Sequence, residues 1–128
     1  MKLRIKENTL RFRLSQGEVT EFKEQGTVRS ITSFNLSGAQ QLIYVLQRCE
    51  SCDLLQATFS QNMIVVNVPA ATADEWTDTN LVGFNNEVDA KDPSDLFILV
   101  EKDFQCLHKR PNEDESDNFP NPLADLKT

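Results

Sequence analysis

Polar and apolar side chains alternate from the first residues of this chain. Lys2, Arg4 and Lys6 interleave with Leu3 and Ile5, and Arg11 and Arg13 interleave with Leu10, Phe12 and Leu14. A period of two belongs to half-buried strands, so the two runs predict two strands, and the polar break at Glu7–Asn8–Thr9 predicts a hairpin between them. The apolar side chains of that hairpin face a core, while five basic residues share its other face.

At Ser15 the period changes. In "LSQGEVTEFKEQG", Ser15 and Glu18 have the spacing of a capping box, and Leu14 and Val19 that of a hydrophobic staple. Gly26 suits the stop of a short helix whose apolar stripe is Val19 and Phe22, and only Gly17 is a poor helix former within it. Strands are expected at 27–35, where the residues are β-branched and aromatic, and at 40–49, where Ile43, Tyr44 and Val45 favour strand over helix. "LLQATFS" and "MIVVNV" flank the turn Gln61–Asn62 as a second hairpin.

Residues 69–80, opening on Pro69 and rich in alanine, read as a second helix with Trp76 as a core anchor. "GFNNEVDAKDPSD" reads as a polar loop, and "LFILVEKDF" (96–104) as the most hydrophobic and central strand. No internal repeat is visible. Hairpins rather than βαβ units predict an α+β single domain, a curved and mostly antiparallel sheet with two short helices. Residues 1–104 form that domain, and 105–128 an irregular acidic segment packed on it, with Phe119 as its anchor.

Composition narrows the function. A chain of 128 residues carrying a net charge of −7 is a poor nucleic-acid binder, because phosphate affinity comes from clustered Lys and Arg. The charge is uneven: residues 1–30 are net +3 and residues 31–128 net −10, so the two ends attract each other. "MKLRIKENTL" has no signal-peptide core and no stretch reaches the roughly 20 apolar residues of a membrane span, so a cytoplasmic protein without membrane contact is expected. Three cysteines, an odd number, fit a reducing compartment better than a disulfide framework.

Three features carry candidate chemistry. Cys49, Cys52, Cys106 and His108 supply the four soft or borderline ligands of a tetrahedral zinc site, using every cysteine and the only histidine. Against this, Asp53 stands where zinc knuckles usually have glycine. The plainer reading is two cysteines at a hairpin tip and one buried as a small hydrophobe. A Cys49/Cys52 redox pair is a weaker alternative, because no βαβ context leads into a helix.

The basic face, Lys2, Arg4, Lys6, Arg11 and Arg13, could hold a phosphate-like anion. It could equally be a solvated face that guards an edge strand, or be covered by the acidic run Glu113, Asp114, Glu115 and Asp117. Neither that run nor Asp89, Asp92 and Asp95 has the spacing of a calcium loop. Cys106 and His108, two apart on an extended segment, lack the geometry of a nucleophile and its base. With no phosphate loop, G-x-S-x-G or H-E-x-x-H, a non-enzymatic binding module without a cofactor is expected, as a monomer or weak homodimer. The alternative is a zinc-binding or thiol-dependent protein.

The chain also resembles a family of short, uncharacterised bacterial proteins. They open with K-x-R-I-K…R-x-R-L and S/T-Q-x-E-V, carry V-P…A-x-x-W…T…V-G, and close with E-K-D-F-x-C-L…R…E-D-E-x-D-x-F-P-N-P. The matching elements here are Lys2 to Leu14, Ser15 to Val19, Val68 to Gly83 and Glu101 to Pro122. The resemblance implies a bacterial source and a single-domain unit, and no reaction.

Overall fold

A computed structural model of the chain describes residues 1–89, 95–105 and 114–123. The elements follow in the order β1 (Lys2–Lys6), β2 (Thr9–Leu14), α1 (Gln16–Gln25), β3 (Thr27–Ser33), β4 (Gln41–Cys49), β5 (Gln56–Ser60), β6 (Met63–Pro69), α2 (Ala70–Asp78), β7 (Gly83–Asn85) and β8 (Phe97–Lys102). The α+β class holds. The strands divide between two four-stranded sheets, β1-β2-β8-β7 and β3-β4-β6-β5. Each sheet joins two antiparallel hairpins through one central parallel pair, β2 with β8 and β4 with β6.

Local signals explain most of these elements. Ser15 caps α1, its hydroxyl accepting from the Glu18 amide while the Glu18 carboxylate accepts from the Ser15 amide. Gly26 ends the helix at φ +75°, a left-handed conformation that a side chain would penalise. Glu7, Gln61 and Asn62 also take positive φ, in the tight turns of the β1–β2 and β5–β6 hairpins. Residues 83–85, expected within a polar loop, form edge strand β7. The strand closes there because Gly83 lacks a Cβ, which would lie 2.6 Å from the Val100 carbonyl oxygen, and because Phe84 packs on Trp76 with ring centroids 5.4 Å apart.

The two halves of the chain repeat one ββαββ unit, contrary to the sequence reading. Met63 stands 54 positions after Thr9, and Phe97 stands 54 after Ile43. The parallel register Thr9↔Phe97 therefore maps onto Ile43↔Met63 with its two partners exchanged. The hairpin register Lys2↔Arg13 likewise maps onto Gln56↔Asn67. Buried Leu10, Phe12, Leu14, Val19 and Phe22 correspond to buried Ile64, Val66, Val68, Ala73 and Trp76.

Each sheet takes one hairpin from each half, and the paired helices meet where Phe22 packs edge-on against Trp76 at 6.1 Å. Phe12 and Tyr44, 6.3 Å apart, join the two sheets. An apolar hollow of about 350 Å³ is lined by equivalent pairs, Ile5 with Phe59, Leu10 with Ile64 and Leu42 with Leu96.

After β8 the chain returns over the same domain. Phe104 and Phe119 form a parallel bridge and their rings meet at a tilt with centroids 5.7 Å apart, Phe119 N donating to Asp103 O and Gln105 N to Phe119 O. Asp117 then reaches the start of α1. Its carbonyl accepts from Gln16 N at 2.9 Å and its carboxylate from Gly17 N at 3.1 Å, satisfying two amides that have no partner within the helix. Gly17 is the residue that permits this approach, since a Cβ there would lie 2.8 Å from the Asp117 oxygen.

Lys102 is the one buried cationic side chain among the described residues, 7% exposed. Its ammonium donates to Thr79 O at 2.8 Å and lies 6.0 Å from the Trp76 ring centroid and 5.6 Å from that of Phe119. It forms no ion pair with any described residue. Burial lowers its pKa from the ordinary 10.5, because the charged form loses water without gaining a carboxylate.

Two predictions follow from these contacts. Gly17→Ala should bring none of the roughly 0.5–1 kcal/mol that alanine normally adds to a helix, because it displaces Asp117. In an Asp117→Ala background the same change should stabilise, and urea unfolding of the four variants measures the difference. Lys102 binds fewer protons folded than unfolded at pH values between its lowered pKa and 10.5. Wild-type stability, taken relative to Lys102→Met, should therefore be lowest at neutral pH and rise as the pH approaches 10.5. Parallel pH profiles for the two proteins would contradict this.

Candidate anion site on the basic hairpin

Strand alternation on β1 and β2 places the five cations as expected on one face. The register sets like charges directly opposite one another, Arg4 across from Arg11 and Lys2 across from Arg13. Such pairs repel, so the ladder alone does not favour them.

Neighbouring β8 answers part of that repulsion. Arg13 lies beside Glu101 in the parallel register, and one Glu101 oxygen accepts from Arg11 Nε at 2.7 Å and from Arg13 Nε at 2.9 Å. Arg11 Nη2 reaches the same oxygen at 2.6 Å. Lys2 Nζ meets the buried Asp103 carboxylate at 2.9 Å. Arg4 and Lys6 are exposed and form no ion pair with any described residue.

The sequence reading had looked to the acidic run for these carboxylates. Asp117 instead holds the amino end of α1, and Glu113 lies outside the described residues. Glu101 and Asp103 went unnoticed, although their spacing on either side of Lys102 puts them on one face of a strand.

Two hollows border this face. A hollow of about 110 Å³ is lined by Lys2, Leu3, Arg4, Arg11 and Arg13. One of about 280 Å³ shares Arg11 and Arg13 and continues past Glu101 and Asp103 to Gln105 and Asn121. The two ends of the chain thus meet at the two arginines. Glu101 fixes both guanidinium heads between the hollows while the Nη groups of Arg13 remain available to a ligand. Planar guanidinium groups fixed in this way suit an oxyanion that accepts two hydrogen bonds from one side chain.

The cysteines are arranged differently from the sequence expectation of free thiols. Cys49 and Cys52 are joined in a disulfide across the turn after β4. In this state neither offers the thiolate that a zinc ion requires. Cys106 and His108 lie outside the described residues, as does Asp92. Among the described residues, no group of three or more His, Cys, Asp or Glu side chains is placed to hold a metal ion. Among the same residues, no helix is long and apolar enough to cross a membrane.

No curated protein and no solved structure matches the chain. A match to one family spans residues 1–123, nearly the whole length and both halves of the repeat. The chain belongs to the family of unknown function DUF7009.

Proposed function

We propose that this protein is a non-enzymatic binding module that holds a small phosphate-bearing anion on the basic face of β1 and β2. The observation that carries this reading is the contrast between the two copies of the hairpin. Lys2, Arg4, Lys6, Arg11 and Arg13 correspond, 54 positions on, to Gln56, Thr58, Ser60, Val65 and Asn67. The β5–β6 hairpin keeps the two-residue turn and the pairing register without a single charge on that face. The architecture therefore does not require cations there, and opposed pairs such as Arg4 and Arg11 cost stability unless something negative lies over them.

The local charge supports the same conclusion. Five cations face two carboxylates, Glu101 and Asp103, leaving a net +3 on a protein whose overall charge is −7. Arg11 and Arg13 are oriented before any ligand arrives, because Glu101 already holds them. Preorganisation of this kind lowers the entropic cost of binding. Arg4 lies across the ladder from Arg11 and supplies a cation that no described carboxylate engages.

Pyrophosphate at one hundred times its Kd should stabilise the folded protein by about 2.7 kcal/mol. For a chain of this size that is a rise in Tm of several degrees. Arg4→Ala and Arg11→Ala should each abolish most of that rise, and 0.5 M sodium chloride should reduce it. Glu101→Gln, which keeps an oxygen acceptor for both guanidinium groups but removes the competing charge, should tighten binding. Thermal shift and titration calorimetry with phosphate, pyrophosphate and a nucleoside triphosphate provide the measurement. No shift in the wild type, or an equal shift in both arginine variants, would overturn the proposal.

A further inference from the structure

The Cys49–Cys52 disulfide closes a loop of four residues, with a sequence separation of 3. A disulfide stabilises a fold chiefly by restricting the unfolded chain, and the shortest loops gain least. The segment has little need of a staple. β4 is paired with β3 from Gln41 to Gln47 and with β6 from Ile43 to Cys49, Cys49 standing opposite Pro69 at its end. Arg48 N donates to Gly26 O immediately before the loop, and Arg48 is further fixed by ion pairs to Glu50 and Asp74.

The surroundings of the two sulfurs suit exchange. Cys49 and Cys52 are half-buried, and the intervening Glu50 and Ser51 are exposed, so the bond lies at the surface. The Gln56 amide Nε2 donates to Cys52 Sγ at 3.6 Å, and the Ser51 hydroxyl lies 3.7 Å from Cys49 Sγ. An N–H donor aimed at a sulfur favours its thiolate form, which lowers the thiol pKa and makes that sulfur the better leaving group.

The repeat reinforces this assignment. Gln56 is the counterpart of Lys2, and Cys49 the counterpart of Asp103. In the first sheet, Lys2 reaches from the edge strand to a carboxylate just past the end of β8. In the second sheet, Gln56 reaches from the edge strand to the sulfur of Cys52, in the loop just past the end of β4. The same locus that holds an anion in one half thus presents a sulfur in the other.

We propose that Cys49 and Cys52 form a reversible thiol–disulfide exchange site for small thiols of the glutathione class. The incoming thiolate attacks Cys49 Sγ and forms a mixed disulfide, and the Cys49–Cys52 bond breaks with its electron pair leaving on Cys52, held there by the Gln56 amide. A second thiolate attacks the sulfur of the small thiol in that mixed disulfide. Cys49 leaves as thiolate, both cysteines take protons from water, and the two small thiols depart as their own disulfide. The protein pair gains two electrons and the two small thiols lose two.

The full-length protein is equilibrated over a range of reduced to oxidised glutathione ratios, then alkylated and mapped by mass so that Cys49 and Cys52 are read separately from Cys106. One titration curve should be reached from both the oxidised and the reduced side, with Tm changing by no more than a few degrees. Rapid alkylation during reduction of the oxidised protein by glutathione should trap the mixed disulfide on Cys49 at least tenfold more often than on Cys52. Gln56→Leu should shift the curve toward the disulfide by at least threefold in the glutathione ratio, which a purely structural bond would not do. The proposal is overturned by a pair that exchanges only when the protein unfolds, by one that never oxidises, by a mixed disulfide trapped equally on both cysteines, or by a Gln56→Leu curve that superposes on the wild type.

Discussion

Strands β2 and β8 lie side by side and run the same way, although one comes near the start of the described chain and the other near its end. No tight turn can join parallel neighbours, so this pairing waits for the intervening segments to be in place. The same constraint acts on β4 and β6. Because each sheet combines a hairpin from the first half with one from the second, neither half can complete a sheet alone. Phe12 and Leu14 lose all exposure only beside Val100 and Lys102, and Leu46 only beside Val66. Burial, sheet closure and the meeting of Phe22 with Trp76 are therefore one cooperative event, dominated by contacts distant in sequence.

That constraint also explains what the two halves have kept. Positions facing the core are apolar in both copies but differ in size, as with Phe12 and Val66 or Phe22 and Trp76. Volume lost on one side of the molecule is made up on the other, so the pairs need not match one by one, provided the total fills the space. Outward positions carry no such obligation. They separate into a cationic face in one hairpin and a neutral polar face in the other, and chemistry can be added to the first without disturbing the core.

Local elements were legible in the sequence, and their arrangement was not. Alternation announced the first hairpin, the runs flanking Gln61–Asn62 the second, and the Ser15–Glu18 spacing α1 together with its cap, because these signals act over a few residues. Gly17 was visible only as an anomaly within a helix, and its reason, the carboxylate of Asp117, lies 100 positions away. The repeat escaped notice because its copies share burial and register rather than residue types. The cationic face was readable as a face. Glu101 and Asp103, which organise it, belong to a strand whose neighbour is fixed by parallel pairing, a relation that leaves no local mark.

The two candidate chemistries stand at related places for a physical reason. The last residues of β4 and β8 keep their parallel neighbours, Pro69 and Leu14. The bonds from Arg48 N to Gly26 O and from Lys102 N to Val82 O hold the other side, so the backbone that carries them is fixed. Side chains just beyond that point meet the first position of the edge strand, as the Lys2–Asp103 and Gln56–Cys52 contacts show. A rigid base with an unfilled first layer above it can accept a carboxylate, a sulfur or a bound ligand at little cost in stability. The repeat provides that base twice. The side chains above it differ, a cluster of cations organised by carboxylates in one unit and a pair of linked sulfurs in the other.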